Sequence, residues 1–89
     1  MALQLLCRFD TSDARAWKDA FHADTEDQRN AGLTVLQMWQ DADSATRMWV
    51  LFEASDRGKA EGWLTRAKAD TAGRRAGVTD AQAHFLRTA

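Results

Sequence analysis

The chain has 89 residues, a formal net charge of -1 and a sequence pI of about 6.0. That is one domain, residues 1–89, with a modest core, because a domain this small buries only about 60–65% of the surface its unfolded chain exposes. No clustered basic face of the kind nucleic acid requires is present, Arg74-Arg75 reads as a solvated helix end, and the single cysteine, Cys7, excludes an internal disulfide and a thiolate metal site.

Ala2 to Phe9 reads as the first strand, with Leu3, Leu5, Cys7 and Phe9 on one face and Gln4, Leu6 and Arg8 on the other. This opening has no basic leader and no long apolar run, so neither a secretory signal nor a membrane span is expected, and the expected location is the cytoplasm. Cys7 sits on the apolar face and should be a buried, inert thiol. Asp10-Thr11-Ser12-Asp13 supplies a turn, with Ser12 or Thr11 as helix cap and Asp13 in the first turn. Ala14, Trp17 and Phe21 form the buried stripe of a helix. Its continuation through Asp24, Thr25 and Gln28 is polar, so either the helix overhangs the sheet or, the favoured reading, it breaks near His22 or Ala23, with Thr25 capping a short second turn and Gln28 completing a capping box. Asn30-Ala31-Gly32 is a helix stop.

Leu33 to Gln40 and Thr46 to Glu53 are rich in β-branched, aromatic and long apolar residues, and Asp41 to Ala45 separates them, the pattern of a β-hairpin. Setting Gln40 against Thr46 pairs Met38 with Met48, Leu36 with Val50 and Thr34 with Phe52 on an apolar face. The other face then pairs Trp39 with Arg47, Gln37 with Trp49, Val35 with Leu51 and Leu33 with Glu53. Ser55-Asp56 caps the next helix, whose inward stripe is Ala60, Trp63, Leu64, Ala67 and Thr71. Gly58 and Gly62 weaken that helix and are read as letting it approach the sheet. It ends between Ala72 and Gly77. A last strand, Val78 to Leu86, puts Ala81, Ala83 and Phe85 on one face and Gln82, His84 and Leu86 on the other.

The order strand, helix, strand, strand, helix, strand is the split β-α-β, ferredoxin-like arrangement. Right-handed crossovers place both helices on one face of a four-stranded antiparallel sheet, an α+β fold. The opposite face carries Leu6, Val35, Trp39, Trp49, Leu51 and Leu86 among Gln4, Arg8, Gln37, Arg47, Glu53, Gln82 and His84. Apolar residues so placed predict a homodimer built sheet to sheet.

The spacing of Trp17 and Phe21, Arg29-Asn30-Ala31-Gly32, Val35 to Gln40, Asp41 to Ser44, and Phe52-Glu53-Ala54-Ser55-Asp56 followed by Ala60 to Leu64 resembles the dimeric α/β-barrel superfamily. That superfamily includes antibiotic biosynthesis monooxygenases, muconolactone isomerases and haem-degrading monooxygenases. The resemblance implies two sheets paired face to face, and it admits a cofactor-independent monooxygenase or isomerase. The haem-degrading branch uses an Asn, a Trp and a His. Here the one asparagine, Asn30, lies in a loop rather than in the first strand, which argues against haem chemistry.

The titratable candidates for catalysis are His84, on the mixed face near Arg8, Gln4 and Gln82, and His22 with Asp24 at the end of the first helix. A histidine hydrogen-bonded in a wet interface is the simpler account of His84, and a solvated side chain that of His22. Trp17, Arg8, Trp49 and Glu53 are the candidate ligand contacts, although Trp17 and Trp63 also suit a core. Trp39 is placed to stack with Arg47. No His, Asp and Glu triplet has metal-ligand spacing, and no glycine-rich phosphate loop or nucleophile elbow is present, so the reading calls for no metal and no cofactor. The expected activity is binding of a small apolar molecule, in a pocket either between sheet and helices or between two sheets, with the monooxygenase or isomerase as the alternative.

Overall fold

The computed structural model describes residues 3–69 and 77–89. The elements are β1 (Leu3–Thr11), α1 (Ala14–Ala23), α2 (Thr25–Asn30), β2 (Leu33–Gln40), β3 (Arg47–Ala54), α3 (Arg57–Ala69) and β4 (Val78–Arg87). The strands form one antiparallel sheet in the order β2-β3-β1-β4. This is the ferredoxin-like α+β fold expected from the sequence, with the first crossover divided into two helices. Leu5, Cys7, Val50 and Phe52 on the sheet close against Trp17 and Phe21 of α1 and Ala60 and Trp63 of α3. The aromatic rings run in series from Phe9 to Trp17 (5.2 Å), Phe21 (4.9 Å), Phe52 (5.9 Å) and Trp63 (5.7 Å).

The cap of α1 is Asp13, not Ser12 or Thr11: its carboxylate accepts from the amides of Arg15 and Ala16 at 3.0 and 3.1 Å. Thr11 is committed elsewhere, as its amide and hydroxyl both donate to the carbonyl of Thr46, at 2.9 and 2.7 Å. The break after Ala23 occurs as expected, but Asp24 rather than Thr25 forms the junction to α2. The capping box is not made. Thr25 Oγ1 donates back to the carbonyl of His22 at 2.6 Å, and Gln28, buried, donates from Nε2 to the carbonyl of Phe21 at 3.2 Å. These bonds satisfy the carbonyls left open where α1 ends.

The hairpin register differs from the sequence reading. Gln40 faces Met48, Trp39 faces Trp49 and Met38 faces Val50; the register then shifts between Val35 and Gln37, so Val35 faces Phe52, Thr34 faces Glu53 and Leu33 faces Ala54. Leu36 is the extra residue of a β-bulge, which flips the inside–outside alternation on its N-terminal side. Leu33 and Val35 therefore belong to the helix face and Thr34 to the open face, the reverse of the expectation. The longer loop follows from Asp41, whose amide bonds the carbonyl of Arg47 (2.8 Å) and whose carboxylate takes the Asp43 amide (2.9 Å) and the Trp49 indole (2.8 Å).

The two halves share one joint. Gly32 (φ 73°) opens β2 beside Ser55 at the end of β3, and Gly77 (φ 70°) opens β4 beside Ser12 at the end of β1. Ser55 N bonds the Gly32 carbonyl at 2.9 Å, and Ser12 N bonds the Gly77 carbonyl at 2.7 Å. Asp56 caps α3 through the Lys59 amide at 3.0 Å, as Asp13 caps α1. Gly58 and Gly62 do not bring α3 to the sheet: among the described residues a Cβ at Gly62 would meet only Arg66, at 3.7 Å, and one at Gly58 only Asp56, at 3.3 Å. Ala2, Thr71, the helix end between Ala72 and Gly77, and Arg74-Arg75 lie outside the described residues, as does the side chain of Ala67.

Candidate functional site

Two surfaces compete for the role of functional site. The first is a cleft of about 310 Å³ between α1–α2 and β2, lined by Phe21, His22, Thr25, Gln28, Arg29, Leu33, Thr34, Val35 and Met38. Phe21, Leu33, Val35 and Met38 give it an apolar floor, while the exposed His22 and Arg29 stand at its mouth. The bulge at Leu36 builds this cleft: it turns Leu33 and Val35 toward the helices, and Val35 stays 41% exposed because α1 and α2 do not cover it. Its volume falls near the lower end of the ~300–1,000 Å³ range of ligand pockets.

The second surface is the open face of the sheet. Strand register sets Trp39, Trp49, Arg8 and Gln82 in one row across it, Gln37, Leu51, Leu6 and His84 in the next, and Thr34, Glu53, Gln4 and Leu86 in the third. At one end an ionic chain crosses three strands: Arg47 Nε to Asp10 at 2.7 Å, Asp10 to Arg8 at 3.3 Å, and Arg8 to Asp80 at 2.9 Å. Arg8 Nε is buried and has no partner among the described residues. Asp41 sits beside this array with its carboxyl held below the usual carboxylate range, chiefly by the Trp49 indole bond, then by the Asp43 amide and the charge of Arg47.

The candidate residues thus divide. His22 lines the cleft. Asp24, two residues on, accepts from the Trp63 indole at 3.2 Å instead of lining it. Trp17 is 3% exposed and packed between Phe9 and Phe21, a core position. His84, Arg8, Trp49 and Glu53 all belong to the open face, where His84 pairs with Leu6 and is exposed. Trp39 faces Trp49 rather than Arg47, which engages Asp10, so the expected Trp39–Arg47 stack is replaced by an ion pair. Among the described residues the cation–π contact is Arg57 over Phe85, at 4.6 Å. Sequence reasoning missed Thr25, Gln28, Arg29, Leu33, Thr34, Val35 and Met38 as cleft residues. The signal for Gln28 was there, since it continues the Trp17–Phe21 stripe. Among the described residues no group of His, Cys, Asp and Glu is placed to hold a metal ion, and no helix is long and apolar enough to cross a membrane.

Residues 1–68 match a family described as a domain of unknown function. No curated protein matches the sequence. Among solved structures, SnoaB from Streptomyces nogalater, described as a cofactor-independent oxygenase, is similar with a TM-score of 0.73 at 9% identity, over 99% of this chain and 93% of that one. A Pseudomonas aeruginosa protein is similar with a TM-score of 0.68 at 18% identity, over 99% and 95%. A NIPSNAP family protein of unknown function from Agrobacterium tumefaciens is similar with a TM-score of 0.68 at 9% identity, over 99% and 88%. Structures named for antibiotic biosynthesis monooxygenases share the same arrangement, which bears out the resemblance read from the sequence at the level of fold.

Proposed function

Because the chain belongs to the DUF3303 family, whose description leaves its function open, we propose from the geometry that it binds a small apolar molecule in the cleft between α1–α2 and β2. The observation that carries this reading is the apolar floor of Phe21, Leu33, Val35 and Met38 beneath an open, polar mouth. Ligand sites have this character: mostly apolar walls with a few polar groups that orient the guest. The test is titration with the neutral dye N-phenyl-1-naphthylamine. Saturable binding of one dye per chain is expected, with loss in Val35→Trp, which fills the cleft from a half-exposed position without disturbing the core. Binding that does not saturate, or that survives in a folded Val35→Trp variant, refutes it.

The reading includes a homodimer formed through the open sheet face. Leu6, Trp39, Trp49, Leu51 and Leu86 share that face, and Trp39 and Leu86 are 43% and 41% exposed. Stable interfaces bury about 800 Å² per partner, and aromatic side chains bury about 150–250 Å² each, so two tryptophans supply a large part of that area. Equilibrium sedimentation checks it: a dimeric wild type at tens of micromolar and a dissociated Trp49→Glu variant are expected, and a monomeric wild type refutes it. A cytoplasmic setting suits a chain whose single cysteine is free and buried.

A second reading, a cofactor-independent monooxygenase or isomerase, draws support from His22, an imidazole at the cleft mouth suited to proton transfer. It predicts turnover of a cleft-bound molecule that is lost in His22→Gln and retained in His84→Gln.

A further inference from the structure

We infer that the molecule the cleft takes is an apolar acid: an aryl or alkyl body carrying one carboxylate. The inference rests on the cleft being a ligand site and adds the charge of its guest. Two cationic or hydrogen-bond-donating side chains, Arg29 and His22, stand at the mouth, and among the described residues no Asp or Glu lines it. The nearest acid to His22 in sequence, Asp24, accepts from the Trp63 indole. Glu26 and Asp27, on α2 with Arg29, are exposed and outside the lining.

Among the described residues the donors are also unspent. The ion pairs among the described residues engage Arg8, Arg47 and Arg57, not Arg29. The His22 ring meets Phe21 edge-on at 6.2 Å and makes no side-chain hydrogen bond among the described residues. By contrast Thr25 Oγ1 and Gln28 Nε2 already donate to the carbonyls of His22 and Phe21. A guest whose apolar body covers Phe21, Leu33, Val35 and Met38 leaves its polar end beside Arg29 and His22. A guanidinium matches a carboxylate in two parallel hydrogen bonds, which an amide or alcohol cannot reproduce.

The experiment compares two molecules of one shape, 2-naphthoate and 2-naphthamide, as displacers of N-phenyl-1-naphthylamine. In wild type the acid should displace the dye at about tenfold lower concentration than the amide, the scale of one charge-assisted hydrogen-bonded contact. The gap should narrow at high salt and close in Arg29→Gln, an exposed change that leaves the fold intact, and acetate alone should not displace. Equal displacement by acid and amide in wild type, or a gap that persists in both Arg29→Gln and His22→Gln, overturns the inference while leaving the ligand cleft standing. If the dye does not bind, NMR titration with 2-naphthoate decides. Binding at cleft amides that Arg29→Gln weakens about tenfold sustains the acid, and no binding overturns both readings.

Discussion

Replacing Gly32 with alanine tests the joint that starts β2 and so sets the floor of the cleft. Gly32 has φ 73°, a left-handed conformation that costs a residue with a Cβ about 1–2 kcal/mol. The new Cβ would also collide with Ser55 Oγ. Moving that hydroxyl aside breaks its bond to the Gly32 carbonyl, 3.2 Å long, at a further loss of about 0.5–1.5 kcal/mol. The sum is about 1.5–3.5 kcal/mol. Each kcal/mol lowers Tm by about 4–8 °C in a domain of this size, so the melting point should fall by about 6–28 °C. Thermal and urea unfolding followed by circular dichroism measure it. The double variant Gly32→Ala/Ser55→Ala separates the terms: with the overlap relieved it should be no less stable than Gly32→Ala alone, although Ser55→Ala by itself destabilises. A Gly32→Ala protein within about 0.5 kcal/mol of wild type, the ordinary spread of a neutral surface change, would refute this account of the joint.

Burial pushes the Cys7 thiol up to about 12, so the unfolded chain loses its proton first as pH rises. Stability tied to this group is full below the ordinary thiol value near 9.0 and is lost as pH climbs toward about 12. The loss is about 1.4 kcal/mol per pH unit in urea melts, and Cys7→Ala should abolish that slope. Gly62→Ala should stabilise by about 0.5–1 kcal/mol, because the helix gains rigidity and among the described residues the new Cβ meets only Arg66, at 3.7 Å; a destabilised variant in the same melts would contradict it. Asp13→Ala removes the two cap bonds of α1 and should cost about 1 kcal/mol, with Asp13→Asn recovering most of it.

The alternation of Leu3, Leu5, Cys7 and Phe9, and the stripe of Trp17 and Phe21, were legible because burial on one face imposes a period that the residues display directly. The break after Ala23 was legible for the same reason, as the stripe turns polar there. The bulge at Leu36 was not. Val35, Leu36 and Gln37 carry no glycine or proline to mark it, and an uninterrupted alternation fits the apolar pattern of β2 equally well. That single extra residue moved Leu33 and Val35 to the helix side and with them the floor of the cleft, so the mixed face drew attention to His84 while the cleft formed beside His22. Ser12 and Thr11 outranked Asp13 as caps because Thr11's commitment to the Thr46 carbonyl depends on a contact 35 residues away. The proposed acid preference was not legible because Arg29 and His22 line one cleft only once α2 folds back along β2.

The most direct test of the cleft as the ligand site is an amide NMR titration of the ¹⁵N-labelled protein with N-phenyl-1-naphthylamine. Saturable shifts are expected at His22, Thr25, Gln28, Leu33, Thr34 and Val35, with Leu6, Trp49 and Leu86 on the open face unmoved. Shifts concentrated on Leu6, Trp49 and Leu86, with the cleft amides unmoved, would contradict it and assign binding to the sheet face.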